Sequence, residues 1–215
     1  LKPLGADTRG SQFLNPDGNF PNHVPNPEDE AAMQSIMDAV KKSDADFGII
    51  FDTDVDRAAA VDKGGVEMGR NRLIAAISAI LIAETPGSTI VTDSITSSGL
   101  AEFIAAKGGH HHRFKRGYKN VINEAIRLNN EGVYTPLAIE TSGHAALKEN
   151  YFLDDGAYLV TRLVIQLARL SAENRTLASM IADLKEPVES AELRLKILSE
   201  DFRAYGNKVI GELTA

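Results

Sequence analysis

The chain has 215 residues, 43% of them apolar and 25% charged, with a formal net charge of −7. That balance suits a folded globular protein of one large or two small domains, and the acidic surplus excludes nucleic acid as the main partner, because phosphate backbones are held by excess Lys and Arg. Cysteine is absent, which excludes disulfides, thiolate zinc sites and thiol nucleophiles and is compatible with a cytoplasmic location.

In chain order, Pro16-Asp17-Gly18 and Pro21-Asn22-His23-Val24-Pro25-Asn26-Pro27 come first, punctuation that keeps the backbone extended or turning. Leu1 in place of Met points to a processed, trimmed or fragmentary start, and no charged-then-apolar leader opens the chain. Asn26 reads as an N-cap, with Pro27 at the first helical position and Glu28, Asp29 and Glu30 facing the positive helix end. Met33, Ile36, Met37 and Val40 recur at helical spacing and give this helix one apolar face as far as Lys41-Lys42.

A strand follows at Phe47-Gly48-Ile49-Ile50-Phe51 and runs straight into Asp52-Thr53-Asp54-Val55-Asp56-Arg57. Carboxylates separated by single residues in a tight strand-ending loop repel one another, and a divalent cation relieves that repulsion most simply. Asp52, Asp54 and Asp56 are therefore a candidate Mg²⁺ site. An EF-hand does not fit, since it needs Gly at loop position six and Glu at position twelve, where this chain has Arg57 and Lys63. Two other readings stay open: an acidic surface turn, and a phosphoaspartate-forming hydrolase of the haloacid dehalogenase kind using Asp52 and Asp54 with the later Asp154-Asp155. That second pattern wants Thr or Val where Asp56 stands.

Ala58 to Asp62 returns as a short strand, Gly64-Gly65 turns the chain, and Leu73, Ile74, Ile77 and Leu81 mark an amphipathic helix ending before Pro86-Gly87, where a boundary is expected. The run from Leu73 to Ala83 is too short to cross a bilayer, so no membrane is expected. From Ser88, strands and helices alternate in the pattern of a parallel sheet covered by helices. The expected order is strand Thr89 to Thr92, helix Ser98 to Lys107, strand His110 to Phe114, helix Lys119 to Asn130 and strand Pro136 to Glu140, then helices over about 155 to 170 and 173 to 185. Beyond Pro187, Leu193, Leu195 and Ile197 alternate with Arg194 and Lys196 in the period of a half-buried strand.

Two polar constellations lie in this second unit. Glu140-Thr141-Ser142-Gly143-His144 ends a strand, where parallel α/β sheets present functional loops. Glu140 can accept sugar hydroxyl protons, Ser142 can donate and accept, and His144 can carry a proton at neutral pH. The other is His110-His111-His112-Arg113-Phe114-Lys115-Arg116-Gly117-Tyr118-Lys119, a basic segment suited to phosphate or to plain solvation. On a strand only His110 and His112 share a face, and no third zinc ligand stands at a sensible spacing.

Taken in order, Pro16 to Glu28, Asp52 to Arg57, Arg116 to Lys119 and Glu140 to His144 resemble the α-D-phosphohexomutases, the phosphoglucomutases and phosphomannomutases. The resemblance implies an α/β fold of two consecutive three-layer α/β/α units with mixed, mostly parallel sheets. Residues 1–86 correspond to the C-terminal part of domain two, 87–186 to domain three, and 187–215 to a linker and the start of domain four. It also implies a Mg²⁺-dependent exchange of phosphate between the 1- and 6-positions of glucose or mannose, through a phosphoserine and a hexose 1,6-bisphosphate. Asp52, Asp54 and Asp56 would then hold the metal, and Arg57 and His144 would be catalytic. Glu140, Ser142, Arg116, Gly117 and Lys119 would bind the hexose phosphate. Thr53 and Val55 stand where that family commonly has small residues, and Arg116 where many members have Thr. Neither a Ser-His-Asn-Pro motif nor a Ser-Gly-Thr phosphate loop is found, so domains one and four would be missing partners and this piece inactive alone. A non-catalytic sugar-phosphate-binding module is the further alternative.

Overall fold

A computed structural model of the chain describes residues 1–189, 191 and 196–214. The apolar face after Pro27 becomes helix α1, Glu30–Ser43, but its N-cap is Asp29, whose carboxylate accepts from the Ala32 amide at 3.0 Å. Asn26 is not the cap. Its side chain accepts from the Glu28 amide at 3.0 Å, an Asx-type turn that spends the cap locally and delays the helix. α1 lays Met33, Ile36, Met37 and Val40 against Ile50, Ala59 and Val61 of the first sheet.

That sheet holds β1 (Phe47–Phe51), β2 (Ala58–Asp62) and β3 (Glu67–Met68) in the order β1-β2-β3, antiparallel throughout. Connections of a few residues leave no other choice, since a parallel crossover needs a dozen or more. The mixed α/β class therefore draws its parallel strands from the second sheet alone.

Helix α2, Arg70–Glu84, was expected to be amphipathic, yet every residue from Leu73 to Ile82 is buried. It lies in one continuous core that includes Ala60 and Met68 of the first sheet, Ile90, Leu137 and Ile139 of the second, and Leu159 and Leu163 of a later helix. A helix walled in on all sides has no polar face to keep.

The second sheet runs β5-β4-β6-β7, built from β4 (Thr89–Asp93), β5 (His110–Phe114), β6 (Leu137–Ile139) and β7 (Ala145–Leu147). β5, β4 and β6 are parallel, linked through α3 (Ser98–Ala106) and α4 (Tyr118–Asn130), and β7 returns antiparallel to β6. β4 is buried at all five positions, as befits a strand covered on both faces. α4 covers one face through Val121, Ala125 and Leu128. α2, α3 and α5 (Gly156–Ala172) cover the other.

The helix expected over 173 to 185 contracts to α6, Leu177–Met180. Asn174 takes a left-handed φ of 56°, and Thr176 then opens a fresh turn through a reciprocal capping box with Ser179. The strand expected over Leu193 to Ile197 falls mostly on residues outside the described set. Helix α7, Phe202–Leu213, follows with no residue buried. Among the described residues, no helix is long and apolar enough to cross a membrane.

Candidate active site

Asp93 ends β4, and Asp52 and Glu140 directly follow β1 and β6, so all three stand at C-terminal strand ends, where α/β sheets gather function. The Glu140 to His144 segment is the hairpin loop between β6 and β7. Glu140 N donates to His144 O at 2.9 Å, Gly143 N donates to Glu140 O at 3.1 Å, and Gly143 has φ +100°. This is the three-residue hairpin with glycine at its left-handed position; β7 was not expected from the sequence, and that Gly is the signal that could have revealed it.

The loop docks on the aspartate loop main chain to main chain. Arg57 and His144 form an antiparallel bridge, and Ala58 N donates to Gly143 O at 3.3 Å. A Cβ on Gly143 would stand 2.5 Å from Ala58 O. From a third side, Gly156 at the start of α5 donates its amide to Val55 O at 3.0 Å, and a Cβ there would meet Arg57 and Val55 backbone atoms at 2.9 Å. Val55 itself has φ +65°, costly for a β-branched residue. The packed neighbours hold the loop in that shape.

The three aspartates converge. Asp52, Asp54 and Asp56 each offer a carboxylate oxygen within 4.8 Å of the others, grading from buried Asp52 to exposed Asp54. Asp52 is locked by Arg57, whose amide donates to Oδ1 at 3.2 Å and whose Nε donates to Oδ2 at 3.0 Å. Burial pushes its carboxyl up, but the Arg57 amide, the Asp56 side chain and the Arg57 guanidinium outweigh that and hold it below the usual range. Asp56 goes the other way, to about 6, through burial and the neighbouring Asp52. Its Oδ1 is buried and has no hydrogen-bond partner among the described residues. A donor set of carboxylate oxygens with one left unbonded fits a hard divalent cation.

Arg57 also donates from Nη1 to Asn26 Oδ1 at 3.1 Å, a role the N-cap reading of Asn26 had hidden. His144 Nδ1 lies 2.8 Å from Asp154 Oδ2 and 3.6 Å from Asp56 Oδ2. Burial would lower the His144 pKa, but the bond to Asp154 and the charges of Asp154 and Asp56 raise it above the ordinary histidine value. Asp154 is held in turn by the Ala145 amide at 3.1 Å. Tyr118, not foreseen as a site residue, stacks on the His144 ring at 5.0 Å and 18°, with Lys119 Nζ 5.7 Å from its own ring.

Glu140 is 5% exposed and accepts the Gly117 amide at 2.5 Å on Oε1, with Ser142 Oγ 3.5 Å from Oε2. Burial raises its pKa, with Asp93 adding to the effect and the Gly117 amide and the cations of His144 and Arg116 opposing it. The structure thus gathers Asp52, Asp54, Asp56, Arg57 and His144 around one loop contact, and Glu140, Ser142 and Gly117 beside them. Arg116 and Lys119 flank Gly117 and are exposed. A phosphoaspartate hydrolase is ill served, because both Asp52 oxygens are bonded to Arg57, Asp154 is paired with His144, and Asp155 caps α5 by accepting from Tyr158 N. Of the three histidines on β5, His111 bonds Thr92 and His112 pairs with Glu124.

A family model for phosphoglucomutase/phosphomannomutase, alpha/beta/alpha domain II, matches residues 3–65, and the model for domain III matches residues 70–188. A phosphoglucomutase of Neisseria gonorrhoeae is 32% identical over 204 residues, which are 94% of this chain and 42% of that protein. A phosphomannomutase/phosphoglucomutase of Pseudomonas syringae pv. tomato is 31% identical over 198 residues, 92% of this chain and 41% of that one. Among solved structures, a phosphoglucomutase/phosphomannomutase family protein from Burkholderia thailandensis is similar with a TM-score of 0.71 at 33% identity, covering 82% of this chain and 37% of its own. The chain spans about two fifths of the length of the curated relatives it matches.

Proposed function

The chain belongs to the phosphoglucomutase/phosphomannomutase family, and from that premise we propose that it carries the ion-holding and sugar-holding part of a Mg²⁺-dependent phosphohexomutase. The reaction proposed moves phosphate between the 1- and 6-positions of a hexose, glucose or mannose, through a hexose 1,6-bisphosphate. The observation that carries the reading is the Arg57–His144 bridge, which seats the aspartate trio and the Glu140 to His144 loop against each other.

In this reading Asp52, Asp54 and Asp56 hold the Mg²⁺, which when bound supplies positive charge to a phosphoryl group. Arg57, fixed by Asp52 and Asn26, presents its guanidinium beside the ion. Glu140 and Ser142 take hexose hydroxyls, while the Gly117 region with Arg116 and Lys119 meets the substrate phosphate. His144 keeps one proton on Nδ1 against Asp154, leaving Nε2 as the atom that exchanges a proton with a sugar hydroxyl. The phosphoserine and a further phosphate-binding loop belong to the first and fourth domains, the partners this reading requires. Residues 187–215 then lead into the fourth.

Two measurements test the reading. With glucose 1-phosphate, glucose 1,6-bisphosphate and Mg²⁺, this chain alone is expected to show no turnover, and robust formation of glucose 6-phosphate overturns the need for other domains. Calorimetric titration should show weak Mg²⁺ binding that Asp54→Asn removes, because a largely hydrated ion held by few carboxylates is poorly retained. Binding that survives Asp54→Asn unchanged refutes the metal assignment.

A further inference from the structure

Asp93 has no part in the roles above, yet at 0% exposure it is the most buried carboxylate among the described residues. It ends β4, and the parallel register that pairs Thr92 with Ile139 brings it alongside Glu140 at the end of β6. Its Oδ2 accepts the Thr141 hydroxyl at 2.8 Å. Its Oδ1 is buried with no partner among the described residues. An unsatisfied buried acceptor is destabilising, so this carboxylate is a costly way to tie down a loop.

What it ties down is the residue that follows Glu140. The Glu140 side chain is pinned by the Gly117 amide, and the residue just after it is pinned by Asp93 through the Thr141 hydroxyl. Remove the second anchor and Glu140 is free to follow Gly117 and the N-terminus of α4. We propose that Asp93 is a positioning residue for the sugar contact: through Thr141 it fixes the place at which Glu140 accepts a hexose hydroxyl, and it touches no ligand itself. This rests on the role proposed above for Glu140.

The test is a double-mutant cycle on glucose 1-phosphate binding to this chain, with inorganic phosphate as the control ligand. Asp93→Ala should weaken glucose 1-phosphate binding roughly tenfold, one hydrogen bond's worth, and leave phosphate binding alone. Asp93→Asn, which retains an oxygen for the Thr141 hydroxyl, should restore affinity to within about twofold. In a Glu140→Gln background the Asp93→Ala loss should vanish, because its route of action is gone. Additive losses, or an Asp93→Asn variant as weak as Asp93→Ala, overturn the proposal. The Gly117 amide resonance, which reports its bond to Glu140, should move in Asp93→Ala and stay in Asp93→Asn, and an unmoved resonance in Asp93→Ala is equally fatal. If the unaltered chain ignores glucose 1-phosphate, or Glu140→Gln has no effect, the functional reading fails while the Gly117 resonance still decides the role of Asp93.

Discussion

Replacing Gly143 by Ala should separate the two halves of the site, and the cost can be worked from the backbone. At φ +100° any side chain suffers left-handed strain of about 1–2 kcal/mol. The added Cβ would also stand 2.5 Å from Ala58 O and 3.2 Å from Ala58 N, main-chain atoms that cannot rotate away. Forcing β2 aside, with loss of the 3.3 Å bond from Ala58 N to Gly143 O, adds about 1–3 kcal/mol. Gly132→Ala provides the control, since Gly132 has φ +86° but nothing within 4 Å of its would-be Cβ. It should lose only the conformational part. The difference of about 1–3 kcal/mol places the melting temperature of Gly143→Ala about 2–12 °C below that of Gly132→Ala in thermal denaturation followed by circular dichroism. Hydrogen exchange at the Ala58 amide should accelerate in the first variant alone. Equal melting temperatures would refute the close approach as the reason for glycine.

His111, largely buried with Nε2 at 2.7 Å from Thr92 Oγ1, has its pKa pulled to about 4 by burial and by the neighbouring Arg113 and His112. In the unfolded chain it takes up its proton near pH 6.5. Between these values the unfolded state holds more protons, so stability is complete above about pH 6.5 and falls as pH drops toward 4, by about 2 kcal/mol once partial solvent contact is allowed for. Urea midpoints at about pH 7 and pH 4.5 should lose that part of their difference in His111→Gln, and an unchanged difference refutes the assignment. Arg57→Ala strands the Asp52 carboxylate, whose side chain is 2% exposed, and should cost about 3–5 kcal/mol. Mg²⁺ should recover part of this in calorimetry, and a variant equally stable with and without the ion counts against the metal loop.

The convergence of the acidic loop and the Glu140 to His144 loop was legible because charge repulsion and strand endings are local properties. Asp52, Asp54 and Asp56 converge as their spacing implies, and Glu140 and His144 sit on one hairpin. What escaped is decided by neighbours distant in sequence. Asn26 has every mark of a cap, but Glu28 N and Arg57 Nη1 claim its oxygen. The periodicity of Leu73, Ile74, Ile77 and Leu81 is genuine, yet cores on every side bury the intervening residues too. Tyr118 and Asp93 fell just outside the expected helix from Lys119 and strand to Thr92, and only the packed sheet brings them to His144 and Thr141.

The seam at Ala58, Gly143 and Gly156 is made of peptide groups alone, with hydrogen as the only side group at two of its three members. Side-chain chemistry around such a joint can drift without altering its spacing, whereas any carbon inserted at either glycine pries it open. Thr53 and Val55 are exposed at the tip of the acidic loop, and Val55 enters the abutment through its carbonyl, which accepts from Gly156 N at 3.0 Å.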